Sequence, residues 1–298
     1  MNLFYLEPLK EKKLEEAINF VELQEENSIE LMSRLLDGSW QKEIYSYYLV
    51  YEGEPILKKN LVAVIMHSKG GLVQHCIKNP SAYFENRMFY WSLRSLFERQ
   101  NLYCIMGEKT GTELLQDIAK KFAPEKTISE NREYLLLLYN PENLPDELLN
   151  PQFDFEIVRC SEDDKERIFP LQKQYDIVEV LPEGKAFSAE VCKRVLSINL
   201  KNQLIYAIKQ DGKLVAKAGT NAIGKNYVQF GGVFTDENYR GQGMAQCLVS
   251  KLSKEFTEQG KKCALFVKVK NEKAKKAYRK AGYTYQNDYI ICYYGTDF

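Results

Sequence analysis

Arg240-Gly241-Gln242-Gly243-Met244-Ala245 is the stretch of this chain with the most chemistry in it. It stands between an apolar run at 227–234 and a run of helical character at 244–259. Two glycines one place apart let a backbone turn where a Cβ would clash. Successive N–H groups then point into one concavity, and the helix that follows adds the positive end of its dipole. Such a turn suits a pyrophosphate, although an ordinary strand-to-helix turn can look the same. A second cluster follows. The run at 263–269 reads as a buried strand, and after it Ala274, Ala277, Tyr278 and Ala281 recur at helical spacing, with Gly282 as the stop. Asn271 opens that helix, and Tyr278 places a phenol on it.

Together the two clusters resemble the GNAT superfamily of acyl-CoA-dependent N-acyltransferases. The family's pyrophosphate loop, Gln/Arg-x-x-Gly-x-Gly/Ala, is met by Arg240, Gly243 and Ala245. Its later element, Asn-x-x-Ala-x-x-x-Tyr-x-x-x-Gly-Phe/Tyr, is met by Asn271, Ala274, Tyr278, Gly282 and Tyr283. The resemblance covers residues 153–298. It implies that acetyl-CoA lies along the strand before the turn. The backbone of Val233, Phe234 and Thr235 would pair with the pantetheine arm as an added strand does. Arg240 and the amides of Gly241, Gln242, Gly243, Met244 and Ala245 would take the pyrophosphate, and Asn271 would hydrogen-bond the cofactor.

Acyl transfer from a thioester to an amine requires a positioned thioester, a deprotonated amine and a protonated leaving thiolate. Tyr278 matches the family position of the general acid, and a phenol with an ordinary pKa of about 10 keeps its proton at neutral pH. Gln229 falls where some members carry a glutamate base. An amide does not accept a proton usefully, so the expected part of Gln229 is to orient a relaying water. The base stays open, with Asp176, Glu179 and Glu183 as further candidates in the region that lines the family's acceptor site.

The rest of the composition narrows the class. Lys plus Arg and Asp plus Glu are 41 each, so no basic field argues for nucleic acid or an anionic membrane. Lysines at 268, 270, 273, 275 and 276 read as a solvated helix face, with one or two available to phosphates. Residues 1–10 lack the apolar segment of a signal peptide, and no apolar run approaches a membrane span. Seven cysteines, none in Cys-x-x-Cys, read as buried thiols of a reducing compartment, which predicts a cytoplasmic protein. His67 and His75 flank Lys69-Gly70-Gly71, too few ligands for a metal, and read as structural or surface residues.

At 298 residues the chain can bury two cores. Prolines and polar residues at 140–151 predict the boundary, giving a domain at 1–140 and another at 152–298. In the second, strands at 155–159, 227–235, 263–269 and 288–294 and a hairpin about Gln210-Asp211-Gly212 alternate with helices. Pro170 is expected to kink or split the helix at 162–175. The first half follows a similar order, with helical runs at 14–36, 93–100 and 112–122 and strands at 45–51, 61–67, 71–77, 102–106 and 134–139. Leu61-Val62-Ala63 echoes Leu214-Val215-Ala216, and Val73-Gln74 echoes Val228-Gln229, which points to an internal repeat. Between Gln74 and Leu93 there is no glycine, and Tyr90 stands where one is needed. The first copy is therefore expected to be degenerate, a support or a wall of the substrate cleft.

The prediction is an α/β (α+β) protein of tandem GNAT-like domains, each a mixed central sheet flanked by helices. Its expected activity is N-acetyl transfer from acetyl-CoA to a primary amine on a small molecule or peptide. The alternatives are a non-catalytic acyl-CoA sensor, or a transferase using a longer acyl-CoA or aminoacyl-tRNA.

Overall fold

The computed structural model describes residues 3–53, 59–143, 154–181 and 184–295. The chain opens with strand β1 (Phe4–Pro8), helices α1 (Leu14–Glu22) and α2 (Ile29–Leu36), and strands β2 (Tyr45–Gly53), β3 (Lys59–Ser68) and β4 (Leu72–Ile77). Helix α3 (Arg87–Glu98), strand β5 (Cys104–Glu108), helix α4 (Lys109–Phe122) and strand β6 (Ile128–Tyr139) follow. The second half runs through β7 (Glu156–Cys160), α5 (Lys165–Tyr175), α6 (Ala189–Asn202), β8 (Ile205–Gln210), β9 (Lys213–Ile223) and β10 (Tyr227–Thr235). It closes with α7 (Met244–Glu258), β11 (Lys262–Lys268), α8 (Glu272–Lys280) and β12 (Tyr283–Tyr294). The two halves thus present the same order of elements, as the internal repeat predicts.

By contacts the chain divides into two compact units, one of Met1–Leu135 with Asn287–Phe298 and one of Leu136–Gln286. The expected units, 1–140 and 152–298, differ from these at both ends. The division falls inside the continuous strand β6, not at the prolines, and 144–151 lies outside the described residues. From Asn287 on, the last strand counts with the first unit, because Tyr289–Tyr293 pairs residue for residue with Cys104–Glu108. Ile290, Cys292 and Tyr294 are also buried in that unit's core, in one cluster with Ile105 and Leu114.

In the first unit the strand order is β1-β2-β3-β4-β5-β12, antiparallel at each step except the parallel pair β4–β5. Period-two alternation sends Ala63 and Ile65 to one face and Val64 and Met66 to the other. The first pair meets Phe89, Leu93 and Leu115 of α3 and α4. The second meets Phe20, Leu31 and Met32 of α1 and α2. In the second unit the order β7-β8-β9-β10-β11 repeats the pattern, again with one parallel pair, β10–β11. Its β8–β9 turn places Asp211 and Gly212 consecutively at φ 50 and 77, the two-residue hairpin its sequence predicts.

Helix α5 runs through Pro170 without a break. A proline inside a helix costs about 3 kcal/mol. Ile168 and Leu171 are buried against the sheet from this helix, and each such burial contributes about 1.5–3 kcal/mol, enough to offset it. The helix then widens into a π-turn at Asp176–Val180. All seven cysteines are buried and free. Among the described residues no helix is long and apolar enough to cross a membrane, and no cluster of His, Cys, Asp and Glu could hold a metal ion.

Candidate acyl-CoA cleft

Strands β10 and β11 are parallel, and their register runs from Tyr227 opposite Lys262 to Phe230 opposite Leu265. Beyond Phe230 strand β10 changes its fit to β9. Gly231 stands opposite Gly219 and Phe234 opposite Lys217, so β10 carries one extra residue there. This is a β-bulge, and Gly232 within it has φ +59, a left-handed backbone that favours glycine.

The turn after β10 is built by its own residues. Asp236 accepts from the Asn238 N–H at 3.0 Å and from Gln174 Nε2 at 3.3 Å. Arg240 folds back, its Nε donating to the Thr235 carbonyl at 3.1 Å. Gly241 and Gly243 both have φ 84. A Cβ on Gly241 would meet nothing within 4 Å, so its glycine serves conformation and not space. Gly243 is the cap residue of α7, and no side chain caps that helix. The first N–H groups of α7 are thus free of a side-chain acceptor, the condition under which a helix start binds an anion.

A cleft of about 500 Å³ opens at this point. Of the residues expected to hold a cofactor, Val233, Phe234, Thr235, Arg240, Gly241, Gly243, Met244, Ala245 and Asn271 line it; Gln242 is not among the lining residues. Asn271 caps α8, its Oδ1 accepting from the Ala274 N–H at 3.1 Å. Lys273, Lys276 and Lys280 join Arg240 in the wall, so this lysine-rich helix turns cations to the cleft as well as to solvent.

The two residues expected to act chemically are placed differently. Tyr278 is buried in the cleft wall. Burial raises its hydroxyl well above the usual phenol range, and Tyr175 and Glu179 push in the same direction. Gln229 sits in β10 between Ala222 and Ala264 and does not line the cleft, because its position lies before the point where β10 leaves its register with β11. Glu179 does line it, paired with Lys268 at 2.7 Å. Asp176 accepts from Gln172 Nε2 at 2.8 Å, and Glu183 lies outside the described residues.

Lys217 escaped the sequence reading. Its Nζ donates to the Gly232 carbonyl at 2.8 Å and lies 4.4 Å from the centre of the Tyr175 ring. Burial lowers its pKa to about 8, against the opposing pull of Asp176, Cys160 and Cys192. The available signal was a single lysine inside the apolar run Leu214-Val215-Ala216-Lys217-Ala218-Gly219.

In the first unit the corresponding helix start is capped by a side chain. Asn86 caps α3, its Oδ1 accepting from the Phe89 N–H at 3.1 Å, and Tyr90 is buried in the first turns. The His75 ring is fully buried where β4 and β5 end their pairing, with Nε2 2.9 Å from Thr112 Oγ1. It presses on Gly107 and Gly111, leaving neither room for a Cβ. Burial lowers its pKa to about 4, so the ring is neutral.

Residues 171–283 match the Acetyltransferase (GNAT) family. They form a GNAT domain. No curated protein matches the sequence. Among solved structures, a GNAT-family acetyltransferase from Colwellia psychrerythraea is similar at 14% identity and TM-score 0.54, covering 98% of this chain and 99% of its own. A tandem GNAT protein of the clavulanic acid biosynthesis pathway is similar at 7% identity and TM-score 0.59, covering 97% of both chains. A Drosophila protein gives 12% identity and TM-score 0.63, covering 97% and 98%. These identities speak for the fold alone, which is that of tandem GNAT-like domains with the GNAT domain second.

Proposed function

We propose that the GNAT domain binds acetyl-CoA in the cleft and transfers its acetyl group to a primary amine. The observation that carries this reading is the uncapped start of α7, entered through left-handed Gly241 and Gly243, at a cleft whose wall holds Tyr278. The pyrophosphate would take the N–H groups of that turn and the charge of Arg240, with Lys273 and Lys276 on the facing helix. The pantetheine arm would lie along Val233–Thr235. The amine attacks the thioester carbonyl carbon, the C–S bond breaks, and the departing sulfur takes the proton of the Tyr278 hydroxyl. Glu179, which lines the wall, would receive the proton that the amine gives up. The first unit, whose corresponding helix start is capped by Asn86, serves as support.

The test is acetyl-CoA-dependent release of free thiol over a panel of diverse amines, run beside calorimetry with Gly243→Asp. Asp tolerates the left-handed backbone, so the variant should fold, while its carboxylate occupies the anion site. Acetyl-CoA affinity should fall more than about 100-fold, the scale of a lost charged contact plus a new repulsion. Undiminished affinity removes the assignment of the cleft, and thiol release with no amine that stimulates it removes the transferase.

A further inference from the structure

Lys217 stands in the middle of β9 and is only 4% exposed. Burying an ammonium group is costly unless something repays it, and an apolar residue would fill this strand position more cheaply. What the side chain holds is the carbonyl of Gly232. The bulge leaves Gly232 and Val233 without partners in the β9 register, since Gly231 faces Gly219 and Phe234 faces Lys217. A half-buried carbonyl outside its ladder still takes a donor, and the Lys217 Nζ at 2.8 Å supplies it. The ammonium thus spans the bulge from the strand next door, and the residues that follow the pinned carbonyl, Val233, Phe234 and Thr235, line the cleft.

We propose that Lys217 is a positioning residue for the acyl-CoA arm: by pinning the Gly232 carbonyl it fixes the bulge that presents Val233, Phe234 and Thr235 to the cleft. This rests on the acyl-CoA reading above. The groups that face the ammonium are Tyr175 of α5, Asp176 of the π-turn, Cys160 of β7 and Cys192 of α6. Its strand neighbours, Ala207 on β8 and Phe234 on β10, carry no charge. Asp176 is the carboxylate of this set, and Gln172 holds it. Lys217 therefore loses its proton as pH rises through about 8, and its bond to Gly232 becomes one between neutral partners, which is weaker.

The experiment compares two ligands by calorimetry. Acetyl-CoA has the arm, and adenosine 3′-phosphate 5′-diphosphate has the phosphates without it. Lys217→Met should weaken acetyl-CoA about tenfold, the scale of one charge-assisted hydrogen bond, and leave the armless ligand unchanged. Wild-type affinity for acetyl-CoA should decline from pH 7 to pH 9, and that decline should vanish in the variant. Gly232→Ala attacks the same bulge from the other strand, since its Cβ would lie 3.0 Å from Nζ and its φ of +59 disfavours a side chain, and it carries the test if Lys217→Met does not fold. It should show the same split between ligands. Unchanged acetyl-CoA affinity in both variants overturns the proposal and leaves the acyl-CoA reading standing. Equal loss of both ligands also overturns it, because Lys217 would then support the fold at large. A wild type that binds neither ligand overturns the acyl-CoA reading and the proposal with it.

Discussion

At the scale of single residues, the fate of one proton separates a catalytic Tyr278 from a packing one. Tyr278→Phe keeps the ring among its neighbours and removes the hydroxyl. If the phenol protonates the departing thiolate, kcat should fall by roughly 10²–10⁴-fold, the scale of a positioned acid, with acetyl-CoA affinity nearly unchanged. An unaltered kcat in single-turnover thiol release would remove Tyr278 from the chemistry. Because burial raises this phenol, it keeps its proton throughout the usable pH range, and an alkaline limb near pH 8 would belong to another group. Lys217 also leaves a mark on stability. Its pKa is lowered from 10.5 to about 8. Between those values the unfolded chain binds the extra proton, so stability rises with pH. Wild-type stability minus that of Lys217→Met should therefore rise from pH 8 toward pH 10.5, by about 3 kcal/mol in all. Urea unfolding at several pH values reads this, and a flat difference would mean that the ammonium is solvated. Tyr278 and Asn271 were legible because their motif is local and complete. Lys217 was not, since a lysine in a strand reads as solvent-facing until α5 and α6, far away in sequence, are known to cover it.

At the scale of elements, the two units begin the corresponding helix in different ways. Helix α7 begins uncapped behind two left-handed glycines, whereas α3 begins on the Asn86 side chain. The missing glycine turn was readable between Gln74 and Leu93. The seat of the His75 ring was not, because Gly107 and Gly111 are distant in sequence and meet the ring only when β5 and α4 pack on β4. Calorimetry should accordingly find one acetyl-CoA per chain; a second site of similar affinity would contradict the reading of the first copy as degenerate. The glycines can be told apart by affinity. Gly111→Ala puts a Cβ 2.6 Å from the His75 ring, an overpacking expected to cost about 1–3 kcal/mol in thermal unfolding of the first unit. Gly241→Ala meets no atom within 4 Å. It bears the left-handed backbone, about 1–2 kcal/mol, so both variants should lower Tm, but only Gly241→Ala should also weaken acetyl-CoA. A Gly111→Ala variant that loses as much affinity would refute the distinction.

At the scale of the whole molecule, the path of the chain decides what can be cut. Prolines stand at 141, 145 and 151, yet the division falls before them, between Leu135 and Leu136. Membership of a unit is set by strand pairing over more than a hundred residues, which no local pattern encodes. The first unit is completed by the last strand of the chain, and the second takes in Leu136–Tyr139 from before the prolines. A fragment beginning at 152 therefore lacks part of the GNAT domain's own unit and should bind acetyl-CoA more weakly than one beginning at 136. The converse cut is sharper. Ending the chain after Gln286 removes the partner of Cys104–Glu108 and takes Ile290, Cys292 and Tyr294 out of the first unit's core. At about 1.5–3 kcal/mol for each large buried side chain, the loss rivals the net stability of a small domain. Amide exchange along β5 should rise steeply in the shortened chain. The cleft-lining residues end at Lys280, so acetyl-CoA should still bind and should still protect the amides of α7. Slow exchange along β5 after the cut would show that the first unit stands without the last strand, and loss of acetyl-CoA binding would show that the cleft depends on residues beyond its own wall.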